Sequence, residues 1–126
     1  MNIELTATTE EIMNYLWDHE DGLTFRQIFD HFTLEVQKTW KRQTLFTHLT
    51  ILMNKGFIRS EGSRRKMIYI PAISRETYRE HFAHNVLKEV YDGSLSKFVC
   101  AFTGHNKLSR EEADELIAIL EEQKEK

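Results

Sequence analysis

The chain has 126 residues, of which 40% are hydrophobic and 29% are charged, the composition of an ordinary soluble protein. No apolar run approaches the ~18 residues that a membrane span requires, so we expect no membrane insertion. A single cysteine excludes an internal disulfide and a Cys-x-x-Cys metal site. We therefore expect a protein of the reducing cytoplasm.

The net charge of −3 is unevenly distributed along the chain. Residues 36–66 carry eight basic side chains against one acidic side chain, a net charge of +7, whereas residues 1–35 carry −7. A basic block inside an acidic chain is typical of an anion-binding surface. A solvated face with no ligand would have the same charge, so this pattern alone leaves both interpretations open.

Two helices are predicted before residue 36. Thr6 and Thr8 are candidate N-caps for the first, and Glu11 stands at the capping-box position relative to Thr8. Its apolar residues recur at helical spacing: Ile12, Met13, Leu16 and Trp17. Thr24 and Gln27 form a capping box for the second helix. Its apolar stripe is Phe25, Ile28, Phe29 and Phe32.

A third helix and a β-hairpin are predicted next. The helix runs roughly over residues 40–55, with Gly56 at its C′ position. Its apolar stripe is Leu45, Leu49, Leu52 and Met53. Strand-like runs at residues 57–61 and 67–70 flank Gly62-Ser63 and three consecutive basic residues, so the hairpin has a cationic tip.

Three further helices are predicted after Pro71. Ser74 caps the first, and Asp92-Gly93-Ser94 ends it. A fifth helix ends at Gly104, and residues 109–112 form a capping box for a sixth. Residues 121–126 are expected to be a frayed tail.

Three short helices followed by a two-stranded hairpin are the layout of a winged helix-turn-helix domain, whose third helix enters the DNA major groove. We therefore predict a mainly α fold with a small β-hairpin, a winged-helix DNA-binding domain over residues 1–72 and a helical dimerisation domain over residues 73–126. The polar residues of the third helix fall roughly opposite its apolar stripe and can reach base edges. The alternative is a core helix whose polar face is inert.

The predicted DNA-binding residues divide by role. Gln43, Thr44 and Thr47 are expected nearest the bases, in a set that also includes Phe46 and Thr50. The side chains expected to contact phosphates are Lys41, Arg42, Arg64, Arg65 and Lys66.

The helices after residue 73 are too apolar for a short exposed appendage, which rarely closes a core of its own. Burial in a two-fold interface between chains would cover them. The predicted dimerisation residues are Tyr78, Phe82, Val86, Val90, Leu95, Phe98, Val99, Phe102, Leu116, Ile117 and Leu120. The alternative is that these helices fold back on the winged domain of the same chain.

Many of these residues also match one protein family in register. They are Ile12-Met13, Leu16-Trp17, Gly22-Leu23-Thr24, Trp40, Thr44, Thr47, Leu49-Thr50, Leu52, Lys55-Gly56-Phe57-Ile58, Val90-Tyr91, Gly93, Phe98-Val99, Phe102 and Leu108-Ser109. With these motifs in this order, roughly residues 5–121 resemble the BlaI/MecI penicillinase-repressor family of bacterial winged-helix regulators.

The resemblance implies a homodimeric DNA-binding protein that is not an enzyme. Its partner would be double-stranded DNA, a palindromic operator with TACA/TGTA half-sites. It implies repression of a neighbouring promoter, often one for antibiotic resistance. It also implies a membrane receptor metalloprotease that senses a β-lactam, and release of the DNA by cleavage in the dimerisation helices. Ala101 and Phe102 stand at the family's cleavage position, where the family's characterised bond joins Asn to Phe.

The chain departs from the family pattern at the start of the third helix. The family usually reads Trp-Ser-Pro-Lys-Thr there, whereas this chain reads Trp40-Lys41-Arg42-Gln43-Thr44, so Thr39 is the expected cap. Phe46 and Ile51 stand where the family commonly has arginine. Phe46 either contacts a thymine methyl group or extends the core. A copper-responsive branch of the family ends in paired Cys-x-Cys motifs. This chain has none, so we do not expect it to belong to that branch.

Other chemistry has little support. His81 and His84 lie three residues apart and could share a metal with Cys100, but no fourth ligand is evident. We instead expect solvent-facing histidines and a buried Cys100, with no catalytic residue, metal or cofactor. Two rival functions stay open. One is a winged-helix protein–protein adaptor with no DNA partner, and the other is a repressor induced by a small ligand or metal without cleavage.

Overall fold

The computed structural model describes residues 4–125, which form six α-helices and three short strands. The elements in chain order are α1 (Ala7–Trp17), β1 (Leu23–Thr24), α2 (Phe25–Asp30), α3 (Arg42–Asn54), β2 (Ile58–Glu61), β3 (Ile68–Pro71), α4 (Arg75–Val90), α5 (Leu95–Thr103) and α6 (Arg110–Glu122). The predicted fold class, a winged helix-turn-helix followed by further helices, is confirmed. The chain divides into two compact units, Met1–Ala83 and His84–Lys126. This division does not test the predicted functional assignment of residues 1–72 and 73–126.

Helix α1 begins earlier than a Thr8 cap would require. Thr6 is the N-cap, and its Oγ1 accepts a hydrogen bond from the Thr9 amide at 3.2 Å, while the Thr6 amide donates to Thr9 Oγ1 at 2.9 Å. The capping box therefore pairs Thr6 with Thr9, and the predicted pairing of Thr8 with Glu11 is wrong. Because Thr9 supplies a hydroxyl at the N3 position, it takes the role expected of a glutamate there.

The capping box of α2 is confirmed. The Gln27 amide donates to Thr24 Oγ1 at 3.1 Å, and the Thr24 amide donates to Gln27 Oε1 at 2.9 Å. The helix then widens into a π-helical turn, His31–Glu35, that the sequence did not indicate. This turn keeps the Phe32 side chain in the core, at 2% exposure.

The predicted hairpin is confirmed, with β2 and β3 antiparallel and Ser60 opposite Tyr69. A third strand was missed. The two-residue β1 pairs with the other edge of β3, with Leu23 opposite Tyr69. The sheet order is therefore β1-β3-β2, and it joins the start of α2 to the hairpin. The turn requires Gly62, because its φ is +99° and an added Cβ would lie 2.2 Å from the Lys66 carbonyl oxygen.

The core of the first unit is formed by α1, α2, α3 and the sheet. Its fully buried side chains include Ile12, Met13, Leu16, Ile28, Leu45, Leu49 and Leu52. The stripe predicted for α3 is thus confirmed for its three leucines, while Met53 is partly buried against them. Gly56 follows the end of α3 with a φ of +82°, as expected for a C′ glycine.

The start of α4 belongs to this core. Tyr78, predicted for the dimer interface, is only 6% exposed, and its ring centroid lies 5.4 Å from that of Trp17 and 5.9 Å from that of Phe57. Its hydroxyl donates to Glu10 at 3.4 Å. Burial, and secondarily the Glu10 carboxylate, raise the pKa of Tyr78. The dimerisation assignment of Tyr78 is therefore corrected: its side chain packs inside its own chain.

The second unit contains the end of α4, helix α5 and helix α6. Ser94 and Ser109 cap α5 and α6, each accepting an amide hydrogen bond at 3.1 Å. Helix α6 continues to Glu122, so residues 121 and 122, predicted as the start of a frayed tail, are helical. Lys126, the last residue of that predicted tail, lies outside the described residues. None of residues 84–125 is buried. No helix within the described residues 4–125 is both long enough and apolar enough to cross a membrane.

Replacing Leu49 and Ile51 one at a time with alanine will distinguish the two faces of α3. Leu49 is 0% exposed and Ile51 is 39% exposed. We expect Leu49→Ala to lower the free energy of unfolding by about 2–5 kcal/mol, and Ile51→Ala to lower it by less than about 1 kcal/mol. Urea unfolding followed by circular dichroism measures both. Equal losses would contradict the orientation of the helix.

Candidate nucleic-acid interface

Helix α3 directs a polar surface away from the core. Gln43, Phe46, Thr47 and Asn54 are exposed, and Thr44 and Thr50 are half-buried. The same helix buries its leucines, so this outer surface is fixed in orientation by the core. The structure thus leaves the predicted base-contacting residues open to a partner.

Two threonine hydroxyls on this surface are already engaged as donors. Thr47 Oγ1 donates to the Gln43 carbonyl at 2.9 Å, and Thr50 Oγ1 donates to the Phe46 carbonyl at 2.9 Å. Each hydroxyl oxygen keeps lone pairs that accept hydrogen bonds. In the major groove, such an acceptor matches the exocyclic amino group of adenine or cytosine.

The N-terminus of α3 has no side-chain cap. Lys41 occupies the N-cap position in an extended conformation and makes no capping hydrogen bond, so the prediction that Thr39 caps this helix is wrong. Thr39 lies two residues before the N-cap position. The Thr44 amide donates to the Lys41 carbonyl at 3.0 Å, so the amides of Arg42 and Gln43 are the ones that an anion could reach at the positive end of the helix dipole.

The eight basic side chains of residues 36–66 divide into two groups. Three of them have partners inside the chain: Lys38 with Glu11, Arg59 with Glu61, and Lys55 with the carbonyl of Glu4. The other five make no ion pair with a carboxylate anywhere in residues 4–125: Lys41, Arg42, Arg64, Arg65 and Lys66. These five are the side chains that the sequence predicts for phosphate contacts, and all five are exposed.

Some of these cations border one cleft in the first unit. The cleft has a volume of about 550 Å³, and its walls come from the start of α2, the start of α3 and the hairpin. It is lined by Thr24, Phe25, Arg26, Arg42, Gln43, Phe46, Arg64, Arg65, Met67 and Tyr69. Burial raises the pKa of Tyr69 above its ordinary value. The cleft therefore combines cationic, polar and aromatic side chains.

Phe46 is 49% exposed and lines this cleft, so the structure does not place it in the core. It leaves the other interpretation, contact with a thymine methyl group, available. Phe25 and Phe29 also lie near this site, with Arg42 over their rings. The sequence predicted Phe25 and Phe29 only as part of the apolar stripe of the second helix. It did not predict their contact with Arg42, because helical spacing does not show which residue of another helix lies nearby.

Apolar side chains of the second unit lie open to solvent. The exposed members of the predicted dimerisation set in this unit are Val90, Leu95, Phe98, Val99, Phe102, Leu116, Ile117 and Leu120, with exposures of 36% to 66%, while Val86 is half-buried. Phe82, in the first unit, is 52% exposed. Helices α5 and α6 enclose an apolar cleft of about 510 Å³.

The remaining predicted sites lie on α4 and α5. Ala101 and Phe102 are both exposed within α5. His81 and His84 are exposed, as expected, but Cys100 is also exposed, so its predicted burial is wrong. Helix α5 buries none of its residues in this chain, which leaves no core for the cysteine to enter. Within residues 4–125, no cluster of three or more His, Cys, Asp or Glu side chains could hold a metal ion.

The fold and this surface define a winged-helix DNA-binding protein. The family described as "Penicillinase repressor" matches residues 5–122. The chain belongs to this family, which is one of transcriptional repressors and not of enzymes. The predicted family, and with it the prediction of a DNA-binding repressor, is confirmed.

Individual relatives agree with this family. The chain is 34% identical to a "Penicillinase repressor" of Bacillus licheniformis over 114 residues, which cover 90% of this chain and 87% of that protein. It is 26% identical to a "Methicillin resistance regulatory protein MecI" of Staphylococcus aureus (strain N315) over 117 residues, 93% of each chain. A protein of the same name from Mammaliicoccus sciuri is equally similar.

Proposed function

We propose that this repressor binds a palindromic DNA operator as a homodimer, with α3 in the major groove and the hairpin against the backbone. The observation that carries the proposal is the separation of the basic side chains. The five that form no ion pair within residues 4–125 lie at the uncapped end of α3 and at the hairpin tip. Cations that are not neutralised within the chain are the ones that can replace counterions on DNA.

The roles of the side chains follow from their chemistry. Gln43 is exposed at the start of α3, and a glutamine amide can form two hydrogen bonds with adenine. Thr47 offers an acceptor, because its proton is donated to the helix backbone. Lys41 and Arg42, beside the uncapped helix end, and Arg64, Arg65 and Lys66 at the hairpin would contact phosphates.

Dimerisation is supported by the lack of a core in the second unit. Helices α5 and α6 bury no residue, although they carry many large apolar side chains. A symmetric pair of such units would remove this surface from water. Two-fold symmetry would also present two α3 helices to the two half-sites of a palindrome. Linking two half-site contacts in one particle raises the affinity through effective concentration.

The relatives named for penicillinase and methicillin resistance support a resistance gene as the target. The proposal places this regulation in the cytoplasm. In the proposed mechanism of induction, a β-lactam activates a membrane receptor metalloprotease, which cleaves between Ala101 and Phe102. This bond lies inside α5, so cleavage requires local opening of that helix. Separating α6 from the rest of the chain would then dissociate the dimer and weaken its hold on DNA.

Induction without cleavage is the second candidate, and the cleft between α5 and α6 favours it. Its volume of about 510 Å³ and its apolar walls would suit a small hydrophobic ligand. Such a ligand would compete with the partner chain for the same side chains.

A titration of the duplex upstream of the protein's own gene, at several salt concentrations, tests DNA binding. We expect log K to fall steeply with log salt, and an Arg64/Arg65/Lys66→Ala variant to lower this slope by up to about three, roughly one for each phosphate that the variant no longer neutralises. The matched control replaces Arg59 and Glu61 together with alanine. This change removes an existing ion pair from the same hairpin without altering net charge, so the slope should stay constant. Weak binding that neither salt nor the hairpin variant alters would contradict the proposal.

Sedimentation velocity at micromolar concentration tests the dimer. Leu120 lines the apolar cleft and is 54% exposed, so Leu120→Asp should weaken the dimer at least about tenfold by placing a carboxylate in the interface. Ala118→Asp introduces the same side chain on the opposite face of α6 and should leave the dimer intact. Equal effects of the two changes, or a wild-type monomer, would argue against this interface.

Mass spectrometry of the repressor from cells treated with a β-lactam tests induction. We expect an N-terminal fragment that ends at Ala101, and only the full chain in untreated cells. Derepression with an intact chain would favour the ligand mechanism.

A further inference from the structure

Arg42 lies against two aromatic rings of α2. Its guanidinium carbon is 5.4 Å from the centre of the Phe25 ring and 5.9 Å from that of the Phe29 ring. The two rings are nearly parallel, with an interplanar angle of 12° and centroids 6.0 Å apart. We call Phe25 and Phe29 the aromatic shelf. Cations over aromatic faces are attracted by the electron density of the ring.

The aromatic shelf is held firmly by its surroundings. Both phenylalanines are half-buried and pack against the core of the first unit. Phe25 directly follows Thr24, which caps α2 and pairs with Ile68 of β3. The shelf therefore has little freedom to move away from Arg42. A long arginine side chain on such a support loses less conformational entropy when it binds a ligand.

The N–H donors of Arg42 are not engaged within the described residues 4–125. The attraction between a cation and an aromatic ring does not consume these donors. Arg42 makes no ion pair with any carboxylate of residues 4–125, and it lines the cleft together with Arg64 and Arg65. Its in-plane donors match the paired oxygens of a phosphate group.

We propose that Phe25 and Phe29 are positioning residues for DNA binding, which hold Arg42 as a preorganised clamp on one backbone phosphate. This inference rests on the proposed function and deepens it, because it assigns to α2 a part in backbone recognition. Arg42 makes the contact, and the aromatic shelf acts only through Arg42. The shelf should therefore matter equally for an operator and for a duplex of unrelated sequence.

A double-mutant cycle tests this coupling. The four proteins are wild type, Arg42→Gln, Phe25→Leu/Phe29→Leu, and the combination, each titrated with the upstream duplex and with a random duplex of equal length. We expect Arg42→Gln to weaken binding about tenfold and to lower the salt slope by about one. The leucine pair should weaken binding about fivefold in the wild-type background, and less than about twofold once Arg42 is replaced.

Three further variants and thermal melts complete the test. Arg42→Lys keeps the charge but lacks the planar group, so it should lose about threefold in affinity with an unchanged salt slope. Thermal melts show whether the leucine pair folds, and Phe25→Leu alone replaces the pair if it does not. Phe25→Tyr keeps a ring beside the guanidinium and should restore most of the affinity that Phe25→Leu loses.

The outcomes distinguish the positioning role from the proposed function. Leucine substitutions that cost the same with and without Arg42, or that cost nothing, would overturn the positioning role while wild-type binding stands. A loss confined to the upstream duplex would overturn the phosphate contact and make Arg42 a base reader. Wild-type protein that binds neither duplex in a salt-dependent way would overturn the proposed function itself.

Discussion

Strand β3 pairs with β1 on one edge and with β2 on the other, and this double pairing determines the geometry of the proposed DNA-binding surface. Through β1 it fixes the start of α2, since Thr24 is both a strand residue and the cap of that helix. Through β2 it fixes the hairpin, whose tip carries three cations that form no ion pair within residues 4–125. The cleft between them, and the support beneath Arg42, both depend on those few backbone hydrogen bonds.

Local chemistry in the sequence was sufficient to predict much of this unit. Helical caps at Thr24 and Ser74, the buried leucines of α3 and the turn at Gly56 depend on neighbours within a few residues, and each was predicted correctly. The family resemblance was also confirmed, because its motifs extend over most of the chain. The basic block led to the proposed surface, whose role in DNA binding stays a prediction, and charge alone could not separate paired from unpaired side chains.

Features that depend on distant contacts could not be predicted. Strand β1 has two residues, too few for an alternating pattern, and exists because β3 has an open edge beside it. The burial of Tyr78 requires Trp17 and Phe57, which lie far away in the sequence. The contact of Arg42 with Phe25 joins two helices, at the position where the family pattern has proline. This chain thus has a cationic side chain where that pattern has proline, whose side chain has no hydrogen-bond donor.

The distribution of charged side chains in the first unit affects how the protein approaches DNA. Acidic side chains lie on α1 and the turn that follows it, including Glu10, Asp18, Glu20 and Asp21, whereas the unpaired cations lie at the start of α3 and on the hairpin. The first unit therefore carries a local excess of positive charge on these elements, although the whole chain carries only −3. The field of a polyanion attracts this cationic part of the unit before contact. Productive collisions then form a larger share of all encounters, and the association rate rises most at low ionic strength.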